Sequence, residues 1–204
     1  MTAVGERTAT LRRGTGDDVV AVADALADAF TGYVWDEWTV AADRHAERLT
    51  ALQAAFLRDL VVPFGELWLA EEEAGPVAAA AWLRPDVGVP APAQAALDMR
   101  LDDLAGDRAA AAREAEAVCR PLRPSTPHFY LASLGVRRGA QGRGLGSALL
   151  EPVLREAARL GVPAYLETST PRNVRFYERA GFAVTGEVDV PGGGPHVWAM
   201  LRDR

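Results

Sequence analysis

Gln141-Gly142-Arg143-Gly144-Leu145-Gly146-Ser147 is the stretch on which the reading of this chain turns. It lies between an apolar run, Tyr130 to Val136, and a long amphipathic run, Ser147 to Leu160. Apolar strand, glycine-rich turn, helix is the order in which a backbone builds an anion cradle. The glycines let amide N–H groups converge, and the first helical turn adds unpaired donors and a partial positive charge. A ligand carrying a diphosphate is expected here.

Two other phosphate motifs come close. The dinucleotide pattern G-x-G-x-x-G/A finds Gly142 and Gly144, then meets Ser147 where a third Gly or Ala belongs, although Glu167 stands at a suitable distance downstream. Only one further strand–helix unit follows the motif, too little for a doubly wound sheet. The nucleotide-triphosphate loop fails because Gly144 is followed by Leu145 rather than lysine. An ordinary glycine-rich turn is the plain alternative.

The spacing that does fit is Q/R-x-x-G-x-G/A, filled by Gln141, Gly144 and Gly146. Downstream come a short apolar strand from Val162 to Ser169, a helix from Pro171 to Ala180, and the segment Tyr177-Glu178-Arg179-Ala180-Gly181-Phe182. Together these resemble the GCN5-related N-acetyltransferases. The resemblance implies an α/β (α+β) fold with a central mixed, mostly antiparallel, twisted sheet of six to seven strands and helices on both faces. It also implies acetyl-CoA as acyl donor and one domain over residues 1–204. Leu134, Gly135 and Val136 would hold the donor's pantetheine arm like an added strand. The amides from Gln141, Gly142, Arg143, Gly144, Leu145, Gly146 and Ser147 would hold its diphosphate, and Asn173 would bond it or orient Tyr177.

Tyr177 is the expected acid, since a departing thiolate needs a proton and a tyrosine can give one without itself being charged beforehand. Glu167, on Ala164-Tyr165-Leu166-Glu167-Thr168-Ser169, resembles a strand glutamate that acts as base in family members acetylating ribosomal-protein N-termini. It would draw the amine's proton directly or through water. Thr170 or Ser169 is expected to cap the following helix, with Pro171 in its first turn.

The chain also resembles the branch of the family that acetylates the aminonucleoside antibiotic puromycin, a likeness that runs from Asp43-Arg44-His45 to Trp198 and is densest from Pro163 to Phe182. A small-molecule primary amine is therefore the expected acceptor. A peptide N-terminus, or acyl-CoA binding without turnover, are the alternatives. The chain departs from that branch at Val34-Trp35-Asp36-Glu37-Trp38, where two indoles and two carboxylates replace smaller or basic residues. In the family this stretch borders the acceptor pocket, which points to Phe30, Tyr33, Trp35 and Trp38 as substrate-binding residues. The plain alternative is that the tryptophans pack a helix junction.

Composition limits the rest. A net charge of −6 disfavours nucleic acid as a partner, because phosphate contacts need concentrated positive charge. Arg137, Arg138 and Arg143 form one basic cluster, which flanks the cradle and would steer phosphates. No run approaches the ~20 apolar residues of a membrane span, and Met1 to Arg7 lacks a hydrophobic signal core, so a cytoplasmic enzyme is expected. One cysteine, Cys119, excludes an internal disulfide, and no Cys/His cluster has metal spacing. Helices are expected from Asp17 or Asp18 to Phe30, over about Ala42 to Leu60, and from Ala93 to Cys119 with a break near Gly106. Thr31 to Thr39 is expected as an irregular break, and Glu71-Glu72-Glu73 as a solvated turn in a hairpin.

Overall fold

The computed structural model describes residues 9–203. The readings placed on Met1 to Arg7 lie outside them. Seven strands form one sheet in the order β1-β2-β3-β4-β5-β7-β6, with β1 Thr10–Arg13, β2 Gly65–Glu72, β3 Gly75–Leu83, β4 Phe129–Val136, β5 Ala164–Thr168, β6 Ala183–Asp189 and β7 His196–Arg202. Every adjacent pair is antiparallel except β4–β5. The sheet is the expected mixed, mostly antiparallel one.

Alanine explains how the middle of the sheet is covered on both faces. Ala78, Ala79, Ala80 and Ala81 of β3 are fully buried. Ala79 and Ala81 pack under α1 (Val19–Phe30) with Val22, Leu26, Leu67 and Leu69. Ala78 and Ala80 pack on the other face with Leu149, Leu150 and Val153, which lie on the helix that follows β4. Small side chains on alternate sides let helices approach closely from both directions. Gly135 does the same on β4, where a Cβ would come within 2.7 Å of the Leu26 side chain. Its lack of a side chain serves the packing of α1.

Three expectations about local structure are corrected. The aromatic break contains a short helix, α2 (Val34–Thr39), between Tyr33 and Val40. The second long helix, α3 (His45–Phe56), runs on through a π turn (Leu57–Val61) into α4 (Val62–Phe64) instead of ending before Pro63. Proline has no N–H to give the carbonyl one turn back, and a widened turn accommodates it. The acidic triplet is not a free turn, for Glu71 and Glu72 belong to β2 and pair with Arg12 and Arg143. The alanine-rich stretch forms α5 (Ala91–Ala105) and α6 (Ala109–Cys119), parted at Gly106 as expected. α7 (Leu145–Leu160) and α8 (Pro171–Arg179) follow the cradle and β5. Among the described residues no helix is long and apolar enough to cross a membrane, and no group of three or more His, Cys, Asp or Glu could hold a metal.

The feature that positions the site is where β4 and β5 part. Their pairing covers Phe129↔Ala164, Tyr130↔Tyr165 and Leu131↔Leu166 and then stops. On the other side of β4, Leu131 faces Trp82 and Ser133 faces Ala81, so Ala132 is an extra residue, a bulge. A bulge bends its strand. Above it β4 follows β3 while Glu167 and Thr168 follow β7. A wedge opens between the strands, lined on one side by the unpaired edge of β4 from Ala132 to Val136.

Candidate active site

The cradle closes the top of the wedge. Gly142 and Gly144 both have φ of 79°, and Gly144 is the N-cap of α7. A Cβ at either would meet no protein atom within 4 Å, so backbone conformation, not packing, asks for glycine there. Ala148 is the first amide of the helix to reach a backbone acceptor, Gly144 O at 3.0 Å. Among the described residues the amides of Gly142, Gly144, Leu145, Gly146 and Ser147 have no protein acceptor. Five donors at a helix N-terminus, beside an unpaired strand edge, fit an extended ligand bearing a diphosphate. Gly146 lets α8 approach, with Phe176 3.2 Å from where its Cβ would stand.

The arginines around the cradle are not free to steer phosphates, which corrects that expectation. Arg137 pairs with Asp24 at 2.6 Å, Arg138 with Asp28 at 2.9 Å and Arg143 with Glu72 at 2.5 Å. They tie the loop to α1 and β2 with their charges already matched. Gln141 gives its side-chain amide to Val136 O at 3.2 Å, holding the end of β4.

Tyr177 lies on the inner face of α8, buried, edge-on to Phe176 and Phe182 at 5.0 and 5.9 Å between ring centroids. Thr170 caps the helix by accepting from the Asn173 amide at 3.3 Å, and Pro171 occupies its first position. Among the described residues nothing hydrogen-bonds the Tyr177 hydroxyl. Burial, and then the nearness of Tyr33, raise its pKa above the ordinary phenol value, so it stays a neutral donor. Asn173 does not orient it, since its side chain donates to Thr168 Oγ1 at 3.1 Å.

Thr168 in turn meets the Tyr33 hydroxyl at 3.2 Å, and that hydroxyl accepts the Ser169 amide at 2.7 Å. Tyr33 thus pins α2 to the end of β5, and Phe30 packs beside it at 5.7 Å. Of the four expected substrate aromatics, Tyr33 meets the end of β5 beside the wedge, and Phe30 packs with the α1 core. Trp35 and Trp38 are instead packed with Ala115, Cys119, Val190 and Val197. The Arg108 guanidinium lies over the Trp38 ring at 4.3 Å and donates to the Trp38 carbonyl at 2.6 Å. The indoles join α2 to α6 and the turn before β7.

Glu167 stands on the same face of the sheet as Tyr130 and Tyr165, and it is fully engaged. One oxygen accepts from Arg123 Nε and the Tyr165 hydroxyl, both at 2.9 Å, and the other from Arg123 Nη2 and the Tyr130 hydroxyl, both at 3.0 Å. Four donors fill the roughly four lone-pair sites of a carboxylate. A direct proton transfer to Glu167 would cost one of these bonds, which argues against it as the immediate base. Arg123 also grips Glu116 at 2.7 and 3.0 Å. Burial first, then Glu167, hold both tyrosines above the usual phenol range and push the Cys119 thiol up to about 12, so the thiol is inert. Arg123 and the two tyrosines were not legible as site residues. Pro121-Leu122-Arg123-Pro124 reads only as a helix ending, and the tyrosines read as strand filling.

The sequence model of the Acetyltransferase (GNAT) family matches residues 27–182. A crystal structure of histone acetyltransferase HPA2 and related acetyltransferase from Corynebacterium glutamicum superposes with a TM-score of 0.74 at 26% identity, covering 96% of each chain. The Drosophila melanogaster polyamine N-acetyltransferase, which forms N-acetylagmatine, shares the fold at a TM-score of 0.61 and 19% identity, over 96% of this chain and 100% of that one. Mycothiol acetyltransferase of Streptomyces scabiei is 47% identical over 60 residues, 28% of this chain, and the match spans about a fifth (19%) of that protein. With a family match over most of its length, the chain belongs to the GNAT acetyltransferase family.

Proposed function

We propose that this protein transfers the acetyl group of acetyl-CoA to the primary amine of a small molecule. The observation that carries the reading is the group of five amides, those of Gly142, Gly144, Leu145, Gly146 and Ser147, that have no protein acceptor among the described residues, beside the unpaired edge of β4. Acetyl-CoA, when bound, supplies an activated thioester. The amides of the cradle take its diphosphate, and Leu134, Gly135 and Val136 offer their backbone to its arm. Tyr177, neutral and without a protein partner, faces the place where the sulfur leaves and gives it a proton.

Acceptor recognition falls to the space between α2, α6 and the sheet. The cluster there holds two carboxylates, Glu116 and Glu167, to one guanidinium, Arg123, an excess of negative charge that suits an incoming ammonium. Puromycin or a related aminonucleoside is the first acceptor to try, on the strength of the sequence likeness, and the cytoplasm, where acetyl-CoA is available, is the proposed location. The experiment is incubation with acetyl-CoA and a panel of amines while free thiol is followed. Thiol release that depends on a primary amine supports the reading. Tight acetyl-CoA binding with no amine-dependent release would make the protein a binding module instead.

A further inference from the structure

The Asp36 carboxylate has no hydrogen-bond or ion-pair partner among the described residues. Its position follows from helix geometry. On α2, residues three and four apart share a face, which sets Asp36 in line with Tyr33 on one side and Thr39 and Val40 on the other. Thr39 and Val40 are buried, and Tyr33 reaches the end of β5. Asp36 therefore lies on the inward face of α2, half-buried, one helical turn along from Tyr33, whose hydroxyl pins this helix to the end of β5.

The charges around it are committed elsewhere. Glu37, its neighbour on α2, lies 3.6 Å from His45 at the start of α3. Arg108, before α6, covers Trp38. Glu116 on α6, Arg123 beyond it and Glu167 on β5 form one cluster with Tyr130 and Tyr165, beside the buried thiol of Cys119. His196, on the hairpin against Trp38, pairs with Asp189 and Glu187. Tyr33 and Tyr177 lie at the wedge, and on α6 Arg113 pairs with Asp102 while Glu114 is exposed to solvent. A carboxylate drawn out of water with no partner is costly, and such groups gather where a ligand or a proton completes them.

Resting on the acetyl-transfer reading, we propose that Asp36 is the base that takes the proton of the acceptor amine. An N–H bond of the ammonium breaks and its proton passes to the Asp36 carboxylate. The freed lone pair forms the new N–C bond to the thioester carbonyl, and the C–S bond breaks. Tyr177 gives its proton to the departing sulfur and recovers one from the nitrogen as the amide forms. Asp36 then returns its proton to water. Glu167, whose lone pairs are filled, holds Arg123, Tyr130 and Tyr165 in place.

Burial of the carboxylate, and secondarily the charge of Glu37, push Asp36 up to about 7. That proton affinity suits work near neutral pH. It also names a class of acceptor. An amine next to a carbonyl, with a pKa of roughly 7.7–8.0, loses its proton to such a base several hundredfold (about 250–500-fold) more readily than a lysine-like amine at about 10.4. The acceptor is an α-amino acyl compound rather than a simple alkylamine.

The test compares wild type, Asp36→Asn and Asp36→Glu with puromycin, phenylalaninamide and agmatine as acceptors. The expected result is transfer to the first two in preference to agmatine, with kcat/KM rising through pH 7. Asp36→Asn should lose about a hundredfold or more at pH 6–7 and lose that limb, Asp36→Glu should restore part, and acetyl-CoA affinity by calorimetry should hold. A limb that survives Asp36→Asn, or a loss confined to KM, overturns the proposal. If Asp36→Asn does not fold, Asp36→Ser carries the same expectation. Isotope-edited NMR of the wild-type carboxylates gives a reading independent of any acceptor, and a midpoint for Asp36 near 4 overturns it. Protein that binds acetyl-CoA yet acetylates no amine overturns the acetyl-transfer reading itself, whereas wild-type turnover with an unaltered Asp36→Asn profile overturns only the role of Asp36.

Discussion

Glu167→Gln separates holding a site together from taking a proton. The substitution keeps the shape and replaces one acceptor oxygen by an NH2 group. Whichever way the amide turns, two of the four present donors then face another donor: Arg123 Nε and the Tyr165 hydroxyl, or Arg123 Nη2 and the Tyr130 hydroxyl. Breaking a buried ion pair from one side costs about 3–5 kcal/mol. Here the glutamate side chain is 12% exposed and the arginine 25%, and the arginine keeps Glu116, so about 1–3 kcal/mol is the reasoned loss. At roughly 2–4 °C per kcal/mol for a chain of this size, the melting temperature should fall by about 2–12 °C. Calorimetry at pH 7 reads that directly, and a double-mutant cycle with Arg123→Met should show the two losses to be strongly non-additive. The pH–rate profile of the same variant should be lower but keep its ascending limb. An unchanged melting temperature would refute the clamp, and loss of the limb would return the base role to Glu167.

Four further outcomes are expected. Gly144→Val should weaken acetyl-CoA binding in calorimetry well beyond the ~1–2 kcal/mol of left-handed backbone strain, because no protein atom lies within 4 Å of the added Cβ and any excess reports on the ligand. Tyr177→Phe should lower kcat by about a hundredfold or more with acetyl-CoA affinity retained, and normal turnover would reduce the tyrosine to packing. Asp18, held down to about 2 chiefly by the Arg12 hydrogen bonds, contributes stability present above pH ~4 and lost as pH falls through 2. Urea unfolding of Asp18→Asn should therefore show a deficit of about 1–2 kcal/mol at pH 7, the partner being over a third exposed (37%), that vanishes near pH 2. Asp36 runs the other way: its raised pKa means stability is full below pH ~4 and lost as pH rises through about 7, so Asp36→Asn should be more stable than wild type by on the order of 1–3 kcal/mol at pH 8.

The sheet and the cradle were legible because each rests on local pattern. Gly142 and Gly144 announce positive φ, and the apolar runs at β4, β5 and α7 have the right periods and lie in the right order. What was not legible depends on contacts distant in sequence. The three arginines near the cradle look like phosphate ligands until α1 and β2 bring Asp24, Asp28 and Glu72 against them, from more than 70 residues away. Short helix α2 was hidden because six residues give too little periodicity to tell from a loop, and its bonds to the rest run through Tyr33, Trp38 and Arg108.

The same difference explains why the aromatics of α2 drew attention before its carboxylate. A tryptophan is conspicuous in sequence, yet its size makes it the side chain most able to fill a junction, and Trp35 and Trp38 do so against α6 and the turn before β7. An aspartate between them reads as surface. Only the fold shows that Thr39 and Val40 carry that face inward and that every nearby cation already has a partner. Once Glu167 is seen to be saturated, acetyl transfer at neutral pH still requires a group able to accept a proton beside the wedge. Among the described carboxylates of α2, α6, β5 and the β6–β7 hairpin, Asp36 is the half-buried one without a donor, Glu114 being exposed to solvent, and on the proposal above its titration is the measurement that tests how this site works.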